Sequence, residues 1–189
     1  MNTKTKTLVE CAIMVALATV LSLIKVFKMP WGGSVTLLSM LPICFASVRH
    51  GVKWGFGTAF VYSCIQLVLG ITMDGLLGWG LTGGMLVACI LLDYIIAFTV
   101  LGVSGIFAGK GTAGVIGGTA LAIALRLLSH VLSGVYVFKS IGLLWDAIQI
   151  DNPWLYSLGY NGAFMLPELI LTLAGAAIVY KAMKKRNIG

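Results

Sequence analysis

Long apolar stretches without a single charged side chain dominate the pattern of this chain. Residues 29–48 and 54–73 are two such stretches of 20 residues each. A bilayer has a hydrocarbon core about 30 Å thick, which a helix of about 20 apolar residues crosses. A helix on a soluble domain would carry a polar face along most of its length, and these stretches carry none. The pattern therefore predicts membrane-spanning helices.

Continued along the chain, the pattern predicts an all-α integral membrane protein with six transmembrane helices in a single domain, residues 1–189. The second span is short and contains Pro42, so it is expected to be kinked or to begin inside the protein. The glycine-rich residues 72–84 are predicted to form an external loop or a re-entrant cap. The predicted spans are 7–26, 35–48, 52–71, 85–108, 113–138 and 155–183.

Positive charges are distributed unequally between the two sides of this arrangement. Nine lysines and arginines fall on the side of both termini, and three fall on the opposite side. Because cytoplasmic loops carry an excess of Lys and Arg, both termini are predicted to be cytoplasmic. A seventh span would place Lys184, Lys185 and Arg186 outside, against this rule. The net charge of +7 therefore reflects topology, and no nucleic-acid partner is expected.

Composition narrows the function classes further. Of the residues, 59% are hydrophobic and 10% are charged, so neither half of the chain could coat a soluble domain. The four cysteines lie in apolar stretches without CxxC spacing, which favours packing roles over a metal site. No Walker phosphate loop, nucleophile elbow or His-Glu-x-x-His zinc motif occurs. We therefore expect no enzymatic activity, no cofactor and no metal.

Arg126 and His130 lie one helical turn apart in an otherwise apolar predicted span. A charge at that depth costs about 3 kcal/mol even on the lenient insertion scale, so such residues are rarely kept without a function. At 1.5 Å per residue, Asp93 and Asn161 on the neighbouring spans reach a depth similar to that of His130. These residues predict a polar pocket in the outer half of the membrane.

The helical spacing of neighbouring residues adds further side chains to this predicted pocket. Arg126, His130 and Gly134 recur every four residues and form one stripe, with a glycine where a ligand could approach closely. The sixth span adds Tyr156, Ser157, Tyr160, Asn161 and Glu168. A pocket with a carboxylate, an imidazole, an amide and aromatic faces suits a small, flat, nitrogen-rich ligand.

Each of these residues also has a structural interpretation. Asp93 and Arg126 could form a buried ion pair between two helices, and His130 could be a hydrogen-bonded core residue. For Glu168, an interhelical hydrogen bond is favoured over ligand contact. Alternatively, Asp93, Arg126 and His130 could relay protons in an ion-coupled carrier that works alone.

The first span carries small residues at Ala12 and Ala16, continued by Ala18. Small residues four apart let another helix pack closely, because helix association in lipid depends on contact. The pair indicates either internal packing or, if its face points outward, a docking site for a partner subunit.

Four runs, in the same order over nearly the whole chain, resemble one family: MPWGGSV from Met29, LLDY from Leu91, LRLLSHVLSG from Leu125 and WLYSLGYN from Trp154. The family is that of the thiamine-specific substrate-binding (S) components of energy-coupling factor (ECF) transporters, ThiT/YuaJ. The resemblance implies the S-component fold and a thiamine receptor in the plasma membrane of a prokaryote. It also implies docking onto a coupling transmembrane protein with two ATPase subunits. An S component for another vitamin or for a thiamine-precursor pyrimidine stays open.

The resemblance further implies residue roles. Ala12 and Ala16 match the alanine motif that contacts the coupling protein, and Arg126 and Glu168 are expected to support the pocket. The implied substrate-binding positions are Trp31, Asp93, His130, Gly134, Phe138, Tyr156, Ser157 and Asn161.

The chain departs from some family members at three of these positions. Those members carry Glu in place of Asp93, Lys in place of Arg126 and Trp in place of Phe138. A shorter carboxylate and a smaller ring could weaken binding or shift the ligand, although charge and aromaticity are retained. Residues 72–84 do not align securely, so ligand contact from that segment stays open.

Overall fold

The computed structural model describes residues 2–29, 33–144 and 148–185. Most of this part of the chain is helical, and two short strand pairs accompany the helices. In chain order the elements are α1 (Thr3–Leu23), β1 (Lys25–Lys28), β2 (Ser34–Thr36), α2 (Met40–His50), α3 (Val52–Thr72), a 3₁₀ turn (Leu76–Gly78), α4 (Gly83–Cys89), a π-helical segment (Ile90–Ile96), α5 (Ala97–Thr99), a 3₁₀ segment (Val100–Lys110), α6 (Gly111–Tyr136), β3 (Gly142–Leu144), β4 (Ile148–Ile150) and α7 (Pro153–Lys185).

Several of the predicted apolar helices are present. Those long and apolar enough to cross a membrane, by length and composition, are Thr3–Leu23, Val52–Thr72, Gly83–Tyr136 and Pro153–Lys185. The third of these has 54 residues and turns back on itself at Gly111, where φ is +70° and ψ is −153°. Beyond that residue α6 packs along the preceding segment, so that a Cβ on Gly118 would lie 2.1 Å from the carbonyl oxygen of Ser104.

The predicted second span, 35–48, has the wrong bounds. Its first residues belong to β2, and α2 begins only at Met40. With 11 residues, α2 is about 16 Å long, too short to cross the bilayer core alone. Pro42 lies in the first turn of α2, where a missing N–H has little effect, so it produces no internal break.

The predicted helical fold is confirmed for most of the described chain, but the fold is not all-α, because two short antiparallel strand pairs are present. β1 pairs with β2, and β3 pairs with β4. Val26 of β1 and Val35 and Thr36 of β2 continue the hydrophobic pattern of the adjacent helices, which is why the predicted spans 7–26 and 35–48 reach into these strands. β3 and β4 lie between the predicted spans 113–138 and 155–183. The turn before β2 uses Gly33 at φ +76°, and a Cβ there would lie 2.7 Å from the ring of Phe164.

Small side chains bring the central helices close together. A Cβ on Gly55 would lie 2.4 Å from Ser47, and one on Gly105 would lie 2.2 Å from the carbonyl oxygen of Ser47. Ser47 itself donates a 2.5 Å hydrogen bond to the carbonyl of Gly102. Close contact of this kind is the main source of helix association in lipid.

The outward faces of the helices are apolar. On α1, Leu8 is 60% exposed and Ile13 is 61% exposed, as expected for side chains that contact lipid acyl chains. Cys64 on α3 is exposed as well, whereas the other three cysteines are buried as a packing role requires. Glu10 pairs with Arg49 of α2 at 2.9 Å and thereby joins two helices.

Candidate functional site

A cavity of about 490 Å³ lies among the π-helical segment, α6 and α7, beside β2 and the loop that follows α3. Ten of the residues singled out in the sequence line it: Asp93, Arg126, His130, Gly134, Phe138, Tyr156, Ser157, Tyr160, Asn161 and Glu168. Trp31, also singled out, lies outside the residues that the structure describes. The fold therefore brings three distant stretches of the chain together around one space.

Asp93 lies in the π-helical segment Ile90–Ile96, which widens the helix at the cavity. Turns of this type are rare and occur often at functional sites. The neighbouring carbonyl of Leu92 accepts a 2.6 Å hydrogen bond from the Ser129 hydroxyl, which ties the widened turn to α6.

Both carboxylate oxygens of Asp93 accept hydrogen bonds. Oδ1 lies 2.8 Å from His130 Nδ1, and Oδ2 accepts from the Ser133 hydroxyl and from Cys89 Sγ, the latter at 3.3 Å. These contacts join the π-helical segment to α6 and fix the position of the carboxylate.

The hydrogen-bond network determines the tautomer of His130. Arg126 Nε lies 3.3 Å from His130 Nε2, and a guanidinium group can only donate. Nε2 must therefore accept, which leaves the proton on Nδ1 facing Asp93. His130 is neutral in this arrangement.

Arg126 forms no ion pair with Asp93 or Glu168 in the part of the chain that the structure describes. Its guanidinium carbon lies 4.1 Å from the ring centroid of Phe98, a cation–π contact that balances part of the charge. The interpretation of Asp93 and Arg126 as a direct ion pair is therefore wrong, because His130 lies between them.

Asn161 is held by α6 and α7. Its Nδ2 lies 2.9 Å from the carbonyl oxygen of Ser157 and 3.4 Å from that of His130, and Ser157 donates a 3.0 Å hydrogen bond to the carbonyl of Val131. With the amide in this orientation, Oδ1 of Asn161 stays available as an acceptor.

Gly134 lets α6 and α7 approach at this point. A Cβ added there would lie 2.1 Å from Ser157 Oγ. We expect Gly134→Ala to lower the thermal unfolding midpoint in detergent, because overpacking costs about 1–3 kcal/mol. Gly117→Ala, on the same helix with open space around the glycine, is the matched control and should leave the midpoint unchanged or raise it. Equal midpoints for both variants would contradict this packing role.

Aromatic side chains surround the polar groups. The rings of Tyr156 and Tyr160 stack at 6.5 Å with a 9° interplanar angle. Trp79 and Phe138 lie 6.1 Å apart, and both line the cavity. Trp79 belongs to residues 72–84, the segment that does not align securely.

Glu168 contacts the strand pair at the cavity. One of its oxygens, Oε1, accepts hydrogen bonds from the backbone N–H of Thr36 and from the Thr36 hydroxyl, the latter at 2.6 Å. Ser39 lies 2.6 Å from the same hydroxyl. The predicted interhelical hydrogen bond is therefore replaced by one between α7 and β2. Thr36 has no charge or motif that could have revealed this contact in the sequence.

Ionic contacts close one edge of the cavity. Lys25 and Lys28 of β1 lie 2.6 Å and 3.0 Å from Asp74 Oδ1, and the indole N–H of Trp79 donates to the Asp74 carbonyl at 3.2 Å. Partial burial by itself would raise the pKa of Asp74, but hydrogen bonds and charge from Lys25 and Lys28 outweigh it and hold that pKa below its ordinary value.

Asp74→Asn is expected to lower the unfolding midpoint by about 2–4 °C at pH 7. Since the pKa is lowered in the folded state, this stabilisation is complete above the pKa of the unfolded chain and is lost as the pH falls through the folded value. The difference between wild type and variant should therefore shrink below about pH 4. A difference that is constant from pH 7 to pH 3 would contradict the ionic assignment.

The described residues contain no group of three or more His, Cys, Asp or Glu side chains that could hold a metal ion. The cavity instead combines oriented hydrogen-bonding groups with aromatic rings. This combination can bind a small polar ring compound.

Comparisons with known proteins relate the chain to transporters. Residues 8–188 match the family model described as thiamine transporter protein (Thia_YuaJ). The thiamine transporter ThiT of Bacillus subtilis (strain 168) is 33% identical over 178 residues, which cover 87% of this chain and 84% of that protein. A solved structure of ThiT from Listeria monocytogenes has a TM-score of 0.72 and 22% identity, covers 97% of this chain and 98% of that one, and shows the same fold.

These matches settle the class of the protein. The family consists of transporters, so the chain is not an enzyme. Together with the long apolar helices, the family identifies a multi-pass protein of a bacterial membrane. The resemblance indicated by the sequence motifs is confirmed: the chain belongs to the thiamine transporter family, Thia_YuaJ.

Proposed function

We propose that this chain is the thiamine-binding S component of an ECF importer, which captures thiamine outside the cell and docks on a coupling transmembrane protein with two ATPase subunits. The observation that carries the proposal is the cavity itself, where Asp93, His130 and Asn161 meet in a chain of the thiamine transporter family. Because the sequence has no Walker phosphate loop, ATP would be used by the partners and not by this chain.

The chemistry of the cavity supports thiamine as the ligand. Thiamine is a permanent cation with a flat thiazolium ring and an aminopyrimidine ring. The Asp93 carboxylate would offset the positive charge, and Oδ1 of Asn161 would accept a hydrogen bond from the pyrimidine edge. The aromatic rings of Phe138 and Tyr156 would pack on the two ring systems, each cation contact contributing about 0.5–2 kcal/mol. We propose Trp31 as a further ring of the site.

For the topology we propose six crossings with both termini in the cytoplasm. The reversal at Gly111 supports separate crossings for residues 83–110 and for α6. In this arrangement α2 would complete the second crossing together with β2, which precedes it in the chain. The excess of nine positive residues over three on the side of the termini supports the orientation.

For partner docking we propose the α1 face that carries Ala12 and Ala16. Both alanines are exposed, whereas Ala18 is fully buried and lies on the opposite side of the helix. A pair of small exposed residues four apart suits close packing by a helix of the coupling protein.

An ion-coupled carrier that works alone is the second candidate, because Asp93, His130 and Arg126 form a continuous hydrogen-bonded chain. Proteoliposomes distinguish the two. The S-component proposal predicts ATP-dependent thiamine uptake only when the coupling protein and ATPases are present. Uptake by this chain alone, driven by a proton gradient, would support the carrier and contradict the proposal. Tighter binding of hydroxymethylpyrimidine than of thiamine would instead indicate an S component for the precursor.

A further inference from the structure

Glu168 is a buried carboxyl group with one unused oxygen. The residue is only 2% exposed and lines the cavity. Its Oε1 accepts both hydrogen bonds from Thr36, whereas its Oε2 has no hydrogen-bond partner among the described residues. A buried acceptor without a partner costs free energy, so its presence beside a binding cavity calls for an explanation.

The other carboxylates that line the cavity are already engaged. Asp74 binds Lys25 and Lys28, and both oxygens of Asp93 accept hydrogen bonds from protein donors. Among these three carboxylates, only Glu168 has a buried oxygen without a hydrogen-bond partner in the described part of the chain.

Position supports contact with the same ligand. Glu168 is seven residues beyond Asn161 on α7, about two helical turns or 10 Å along the helix and on the same face. Arg126 is one turn from His130 on α6, in the direction away from Gly134, and also lines the cavity. Glu168 and Arg126 therefore form a second polar layer next to the layer of Asp93, His130 and Asn161. A ligand with two linked rings is long enough to reach both.

We propose that Glu168 is a ligand-contacting residue whose Oε2 accepts a hydrogen bond from an N–H or O–H group of the bound molecule. This inference rests on the proposed function and adds a specificity determinant to it. Thiamine has two such donors, the exocyclic amine of its pyrimidine and its terminal hydroxyl. Asp93 then supplies negative charge and orients His130, while Glu168 accepts a hydrogen bond from the ligand at the other end of the site.

Glu168→Gln tests this assignment with little change of shape. The amide oxygen of Gln can keep both hydrogen bonds from Thr36, but its NH₂ group replaces the acceptor Oε2 with a donor. Titration calorimetry is carried out on the purified full chain with thiamine, with an analogue lacking the exocyclic amine and with one lacking the hydroxyl. We expect about tenfold weaker thiamine binding, and no loss for the analogue that lacks the contacted donor.

Thr36→Val is the matched control, because it removes the hydroxyl that binds Glu168 and leaves Oε2 unchanged. It should weaken all three ligands equally and by less than about threefold. Equal thiamine affinity for wild type and Glu168→Gln would overturn the inference, as would the same loss for all three ligands. Thiamine binding by the wild type distinguishes failure of this inference from failure of the proposed function. Its absence would contradict the proposed function itself.

Discussion

Asp93→Ala is expected to weaken thiamine binding by at least about a hundredfold. The substitution leaves the N–H of His130 and the hydroxyl of Ser133 without their acceptor in a buried site. It also removes the negative charge that would offset the thiazolium cation. Unpaired buried donors and an uncompensated charge act in the same direction, which is why this effect should exceed that of any other single substitution in the cavity. Titration calorimetry of the purified variant measures it.

Two further variants distinguish the effect of the Asp93 charge from that of side-chain size and from that of removing any carboxylate. Asp93→Asn keeps the size of the side chain and one acceptor, and we expect a loss of at least about tenfold. Asp151→Ala removes an exposed carboxylate that does not line the cavity, and thiamine affinity should not change. Wild-type affinity in Asp93→Asn and Asp93→Ala would show that thiamine does not bind beside this carboxylate.

Replacing both Ala12 and Ala16 with tryptophan is expected to abolish uptake and leave thiamine affinity within about twofold of wild type. Both alanines face outward on α1, so large side chains there would prevent a partner helix from approaching. Neither residue lines the cavity, and binding should therefore be unaffected. Uptake is measured in cells or proteoliposomes that contain the coupling protein and ATPases, and affinity is measured on the isolated chain.

Ala174→Trp is the matched control for the docking face. Ala174 is an exposed alanine on α7, another apolar helix, and its replacement should leave uptake near the wild-type level. Normal uptake by the Ala12 and Ala16 variant would remove this face from the docking interface. An equal loss in Ala174→Trp would show that any bulky outward residue interferes.

The membrane-spanning helices could be predicted because their signal is local. An uncharged run of 20 residues such as 54–73 is long enough to cross the bilayer core as a helix, and it can be recognised without knowing the rest of the fold. The strands could not be predicted in the same way. Lys25–Lys28 and Ser34–Thr36 pair with each other across a turn, and the hydrophobic pattern of each continues that of the adjoining helix. The late start of α2 has the same cause.

Candidate pocket residues on α6 and α7 could be identified because polar side chains in apolar helices are few and their spacing defines a face. Their partners depend on contacts that spacing does not encode. A direct ion pair between Arg126 and Asp93 was one interpretation of the sequence, but His130 lies between them and contacts both. Thr36 and Trp79 reach the cavity from loops and strands, where no periodic pattern marks the direction of a side chain.

The proposed function requires this chain by itself to hold thiamine in the cavity. Titration calorimetry of the purified, detergent-solubilised chain with thiamine tests it most directly, with Asp93→Ala titrated in parallel. We expect saturable binding of one thiamine per chain by the wild type, weakened at least about a hundredfold in the variant. Absence of saturable thiamine binding by the wild-type chain would contradict it.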